Sequence, residues 1–582
     1  MTTPAITRRF LVGSVATSAM AASAAGPAFG AQSGQGLVTE MGWLDGAAPS
    51  RHDGQTWGVP WPRGMHPRNR TFTAVTGSGE ATPLQTWPLA YWPDGSLKWT
   101  GHAIGAETSL SAGLRIEAGR PVAPSLPVTV RTHAAGFEVD AGSVRWSIPL
   151  SGSSLITSAV CDGREVMRDV RLVCLRQDAP ELSDDAPLRQ DRYESDITSV
   201  VMEQAGPVRA VFRIEGRHRA GDRAWLPFTV RLYFHAGGEA VRIVHTFIFD
   251  GDEKTDFIRG IGVEATTPMR DAFHDRHIRF GGEDGGLWAE AVRPLTGLRR
   301  DPGADYRAAQ IAGQPIPALE QMDPRVRDRL NLIPAWSDFT LSQPTADGFA
   351  IRKRTSEGHG WIDAQGGERA PGLAYVGGVS GGVALALANF WKAGPSRLDI
   401  RGAATDAARV TAWLWSPDAP AMDLRFYHDG LGMTNHDLEN EGLEITYEDY
   451  EAGWGTPYGI ARTSELTLWA LAATPTRDAL SAMTRGIETP PRLTCSPARL
   501  RAVEVFGDWT LPDRSTPARA RLEGRLDDLL DLYRDQIVQR RWYGFWNYGD
   551  VMHSYDADRH EWKYDIGGFA WANSELSPDL WL

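Results

Sequence analysis

The chain has 582 residues, 42% apolar and 23% charged, which is ordinary for globular domains and long enough for several cores. Its formal net charge of -13 excludes nucleic acid as the main partner, because phosphate binding needs a basic surface. Three cysteines, Cys161, Cys174 and Cys495, cannot build a disulfide framework in a chain of this length. The first thirty residues read as a twin-arginine export signal. Arg8-Arg9 precedes a weakly apolar Ala/Ser/Val stretch, with small residues Ala28 and Gly30 before a cleavage point. That stretch is too short and too Ala/Ser-rich for a retained membrane helix, and nothing else approaches 18 apolar residues. The expected location is therefore periplasmic or extracellular, with no membrane partner once residues 1–30 are removed.

From about 38 to 480 the pattern is one of strands and turns. Alternating runs predict strands at Arg145–Pro149, Val208–Glu215, Phe228–His235, Val241–Phe249 and Val383–Phe390. So many strands imply more than one β domain, with a joint at the Pro-rich, aperiodic Arg120–Pro127. Near 475 the pattern changes. Thr476–Arg485 predicts a helix stopped by Gly486. Thr516 and Pro517 then start a long helix. Its stripe Leu522, Leu526, Leu529, Tyr533 and Ile537 predicts core packing. Strands followed by helices indicate a multidomain chain, mainly β and then α.

The chain holds 22 Trp against 19 Phe and 14 Tyr, a surplus that points to a binding surface. Aromatics concentrate in Arg541–Glu575, where acidic, amide and basic groups lie between them. Aromatic faces stack on sugar rings while polar groups bond the hydroxyls, and buried polar groups without partners are costly. The alternative is an aromatic-rich loop packed on a sheet. A second cluster is Met422–His428, with Tyr447, Glu448 and Tyr450 after it. A third is the turn-rich Gly455–Thr463, and a fourth is Trp92–His102, where Asp94-Gly95 predicts a hairpin turn. Lys98 in the fourth reads as a solvated strand lysine. Gly378-Val379-Ser380-Gly381-Gly382 matches the hydrolase nucleophile elbow, but a strand pattern follows it where a helix is required. A hairpin turn is expected there instead. His274 and His277 show no third metal ligand, and no metal or cofactor is expected.

Trp57–Gly64 (WGVPWPRG), Trp92–Trp99 (WPDGSLKW), Lys353–Thr355 (KRT), Gly455–Thr463 (GTPYGIART) and Arg541–Glu575 together resemble the exo-acting rhamnogalacturonan lyases of polysaccharide lyase family 26 and their bacterial relatives. The resemblance covers nearly all of the mature chain. It implies a small β barrel at 38–125, a large antiparallel β-sandwich-like domain at 126–480 and an (α/α) toroid from 486 to 582, present only in part. Relatives of this type run on further, so truncation at the C-terminus is expected. The implied activity is β-elimination on a uronate-containing glycan, with an oligo- or polysaccharide as partner. A base takes the C5 proton beside the carboxylate, cationic groups stabilise the enediolate and an acid protonates the leaving oxygen. With no Ca²⁺ carboxylate nest evident in the sequence, the metal-free form is expected.

Residue chemistry, together with the place of these segments, assigns His553 as base and Tyr555 as proton donor. Arg559 and Arg425 become carboxylate neutralisers, with His428 in reserve. Tyr543, Trp546, Asn547, Tyr548, Asp550 and Trp562 are expected to hold the sugar. A glycoside hydrolase using Asp550, Asp565 or Glu575 remains an alternative. So does a non-catalytic sugar-binding protein.

Overall fold

The computed structural model describes residues 39–109, 113–180, 187–425, 438, 456–507, 510–539, 541, 543–546, 554–558 and 561–563, with backbone alone for 533, 536, 554–556 and 561–563. The first body is a small barrel of two antiparallel sheets. One sheet orders the strands Leu493–Cys495, Thr39–Trp43, Leu114–Ala118, Phe72–Thr76 and Ala81–Thr82. The other pairs Gln55–Pro60 and Gln85–Tyr91 with Leu97–Ile104. The expected turn links the last two: the Asp94 carboxylate accepts from the Ser96 amide at 2.9 Å and hydroxyl at 2.6 Å, and Gly95 takes φ 84°. Lys98 lies over the Trp92 ring at 4.7 Å. Trp57, Trp61, Phe72, Leu97 and Ile116 fill the core. Trp61 stacks on Phe72 at 4.7 Å and donates to the Thr100 hydroxyl. The motif WGVPWPRG is thus core packing for this barrel. One of its strands comes from far along the chain, since Met41 pairs with Cys495 and Trp43 with Leu493.

After residues 119–128, which form neither strand nor helix, the chain builds a continuous antiparallel ladder. It runs from Ile362–Gly367 through Gly348–Arg354, Asp338–Thr345, Ser396–Arg401, Ala407–Trp415 and Phe257–Pro268 to the long strand Arg164–Gln177. From there it continues through Gln190–Ala205, Arg209–Ala220, Arg223–His235, Ala240–Ile248, Ala461–Leu471, Gly381–Leu387, Leu373–Gly378 and Arg276–Gly281 to Leu287–Ala291. The ladder folds over on itself into two layers that share one core. Ile243 and Phe247 of the first layer lie in the same buried cluster as Phe339, Leu398 and Val410 of the second. Alternation explains this. In Ala240–Ile248, Val241, Ile243, His245 and Phe247 are buried while Arg242 and Ile248 are exposed. The five predicted strands are all present. The nucleophile-elbow match is a hairpin: Gly378 pairs with Gly381, and the Ser380 hydroxyl donates to Asp271 at 2.9 Å.

The helix after the sandwich spans Arg477–Glu488, capped by the Thr476 hydroxyl. It runs through Gly486, where a stop was expected. Positive φ, the conformation of a glycine C-cap, is not adopted there, and the turn closes one residue after Glu488, where the Thr489 amide donates to Arg485 O. Leu480 and Met483 pack on Tyr375 and Trp469 of the first layer. The long helix spans Pro517–Gln539 with Thr516 as cap. Its stripe is not a buried core: Leu522 is 62% and Ile537 is 42% exposed, and among the described residues no core cluster includes them.

Candidate functional site

One end of the sandwich gathers the described part of the aromatic cluster. Phe545 is 3% exposed and inserts between the layers. Its ring lies 6.3 Å from Phe247 of the first layer and 5.5 Å from Trp415 of the second. Trp546 packs edge-on to Phe545 at 4.9 Å and to Phe247 at 6.4 Å. Burying one such phenyl group is worth about 1.5–3 kcal/mol, enough to fix the segment on the sandwich. Gly544 extends the attachment, its amide donating to Lys392 O at 2.7 Å. Tyr543 thereby meets Trp391 edge-on at 5.0 Å.

Cations surround these rings. Arg369 lies over Trp391 at 4.3 Å and 5.7 Å from Tyr543. Lys392 is 5.3 Å from Trp391, and Arg462 is 5.1 Å from Phe545. Arg425 sits over Phe257 at 5.4 Å and is held by Asp423 through two bonds of 3.0 and 2.8 Å. Arg541 pairs with Asp347. Ring faces attract guanidinium and ammonium groups by about 0.5–2 kcal/mol each, so the rings help to orient these cations. Glu488 stands near Lys392. Its partial burial and Asp284 raise its carboxyl above the ordinary range, against the pull of Lys392. Beneath the rings, His245 and His218 are buried, and burial pushes them down to about 3 and about 4, so they are neutral and add no charge.

Of the sequence-predicted residues, Tyr543 and Trp546 come to this end, while Arg425 lies over Phe257, a ring outside this set. Tyr555 and Trp562 are register partners in a two-stranded ribbon, Ser554–Asp556 with Glu561–Lys563. His428, Asn547, Tyr548, Asp550, His553 and Arg559 lie outside the described residues, as do Asp565 and Glu575. Sequence reasoning gave no role to Arg369, Trp391, Lys392, Trp415, Arg462 or Phe545. Two of these stood in segments singled out in advance: Phe545 in Arg541–Glu575, and Arg462 in GTPYGIART, where it lies inside a strand rather than at a loop end. Lys353 of the KRT segment pairs with Glu290 at 2.5 Å and lies over Trp336 at 4.1 Å. Among the described residues no three His, Cys, Asp or Glu converge to hold a metal.

Three domain models match the chain. They are the PcRGLX-like N-terminal RIFT barrel domain over residues 38–119, the PcRGLX-like protein central beta sandwich domain over 128–485 and the PcRGLX-like protein C-terminal alpha/alpha toroid domain over 490–582. The chain belongs to the PcRGLX-like family. Barrel, sandwich and toroid follow in the order that the resemblance implied. The toroid match begins before Leu493–Cys495, the strand that completes a barrel sheet. The chain is also 36% identical over 552 residues to the uncharacterized protein YetA of Bacillus subtilis (strain 168), covering 94% of this chain and 62% of that protein. It therefore spans less than two thirds of that relative's length. Among solved structures, a protein in glycosyl hydrolase family 38 from Enterococcus faecalis matches at 7% identity with a TM-score of 0.41, covering 78% of this chain and 47% of that one. A putative aldose 1-epimerase from Klebsiella pneumoniae matches at 8% identity with a TM-score of 0.28, covering 75% and 97%. No chemistry passes from either to this chain.

Proposed function

We propose that this protein is a polysaccharide lyase that cleaves a uronate-containing pectic glycan of the rhamnogalacturonan I type by β-elimination, acting from a chain end. The observation that carries the reading is the set of Trp391, Tyr543 and Trp546 among Arg369, Lys392 and Arg462 at one end of the sandwich. Membership of the PcRGLX-like family supports it. Rings bind the apolar faces of sugars, and the cations suit a ligand that carries a carboxylate.

The same charges serve the reaction. Abstraction of the C5 proton builds negative charge on the carboxylate, and a guanidinium aimed at those oxygens lowers that barrier. Arg425, already oriented by Asp423, takes this role with Arg559, and His428 stands in reserve. His553 takes the proton and Tyr555 returns one to the leaving oxygen. Tyr543, Trp546, Asn547, Tyr548, Asp550 and Trp562 hold the sugar. The Arg8-Arg9 start makes this an exported, periplasmic or extracellular activity.

The test is ultraviolet absorbance over time with rhamnogalacturonan I oligosaccharides. A rise from the unsaturated uronate product is expected, together with its loss in His553→Ala. New reducing ends without absorbance would make the protein a hydrolase. Binding without turnover would make it a sugar-binding protein.

A further inference from the structure

The outer face of the second layer holds a separate polar pocket. Leu341, Ile351 and Leu398 face the core, so their neighbours Thr340, Ser342, Arg352 and Arg397 line the opposite face. With Trp361 and Asp418 these residues border a cavity of about 270 Å³. That is near the lower bound for small-molecule sites and suits one sugar ring rather than a chain. Trp361 is 38% exposed. Its ring is held by Arg354 at 4.5 Å and Arg401 at 5.1 Å.

The floor is preorganised. Asp399 is buried and accepts from Arg397 at 2.7 and 2.6 Å, Trp413 Nε1 at 2.9 Å and the Thr340 hydroxyl at 2.8 Å, and it pairs with Arg401 at 2.8 Å. Each cation here has its own carboxylate. Arg397 also meets Asp418 at 2.6 Å, Arg354 meets Asp338 at 2.8 Å and Arg352 meets Asp363 at 3.4 Å. Four arginines face four aspartates, and the pocket is neutral in sum. A carboxylate ligand would have to displace one of these pairs. A hydroxylated neutral ring would not, because hydroxyls both donate to Asp418 and accept from Arg352 and Arg397, and its apolar face can lie on Trp361.

We propose that this pocket is a binding site for a neutral pyranose, separate from the cationic end of the sandwich. It takes from the proposed function only that the ligand is a saccharide. The test is saturation-transfer NMR on the 582-residue protein with methyl α-L-rhamnopyranoside, methyl β-D-galactopyranoside and methyl α-D-galactopyranosiduronate. At least one neutral glycoside should receive saturation, and that signal should fall to background in Trp361→Ala and weaken in Asp418→Asn. Both side chains are exposed, so both variants should stay folded and unfold cooperatively, with only a modest fall in thermal midpoint. Any uronate signal should be unchanged in both variants. Absence of neutral-glycoside signal in the wild type, its persistence in Trp361→Ala, or equal loss of the uronate signal would each overturn the assignment. The elimination assay reads the other site. A protein that eliminates but shows no Trp361-dependent binding would sink this inference alone, and the reverse result would sink the lyase reading alone.

Discussion

Asp399 shows how a buried charge is kept in this fold. Burial opposes its ionisation, but Arg401 and Arg397 outweigh that, and its carboxyl lies below the ordinary range. Removing one partner of such a set leaves uncompensated buried charge, at a cost of about 3–5 kcal/mol. Asp399→Asn should lose stability of that order in denaturant unfolding, and a loss under 1 kcal/mol would show that water already shares the site. Phe545→Ala should cost about 3 kcal/mol at the docked segment, seen as faster proteolysis near residues 541–546 with the sandwich strands intact. Aromatic density marked Trp546 and Tyr543 in the sequence, because rings clustered along the chain are visible there. Trp391, Arg369 and Arg462 were not legible as a group. They are brought together from two connecting segments and one strand far apart in the chain, and no local pattern encodes that.

At the scale of elements, alternation located strands well. The strand Val144–Pro149 differs by one residue from the expected run, and Ala240–Ile248 is offset by one at each end. Its blind spot was context. Gly486 looks like a stop, yet Leu480 and Met483 bury against the sandwich and carry the helix through it. The strand Leu493–Cys495 is too short to signal itself and is fixed by pairing with Thr39–Trp43. Leu44 donates to Arg492 O at 2.9 Å, so Thr494, two residues on, is in phase to donate to Gly42. Thr494→Pro removes that donor. Hydrogen exchange at Met41–Trp43 should then speed up about tenfold, or about 1.4 kcal/mol. Unchanged exchange would mean that the barrel sheet does not need this strand.

For the whole molecule, acid should be the sensitive direction. His102, His235 and His245 are pushed down to about 3, and His218 and His277 to about 4, in each case chiefly by burial. The unfolded chain binds protons at these groups below about pH 6.5 while the folded chain does not. Stability is therefore full above that pH and falls as pH drops toward the folded values. Near pH 5 each histidine opposes folding by about 2 kcal/mol, and the four in the sandwich, His218, His235, His245 and His277, together reach the range of a typical domain's net stability, about 5–15 kcal/mol. Unfolding followed by circular dichroism should be complete above pH 4. A fold intact at pH 4 would contradict the depression of these histidines.

The cationic, aromatic end of the sandwich is where we propose that an acidic saccharide binds. Calorimetric titration of the protein with a rhamnogalacturonan I oligosaccharide tests it most directly, comparing wild type with Trp391→Ala and Arg369→Ala. The predicted result is binding that weakens at least tenfold in each variant and declines with added salt, because the attraction is in part electrostatic. Unaltered affinity in both variants would place the saccharide elsewhere on the molecule and contradict the claim.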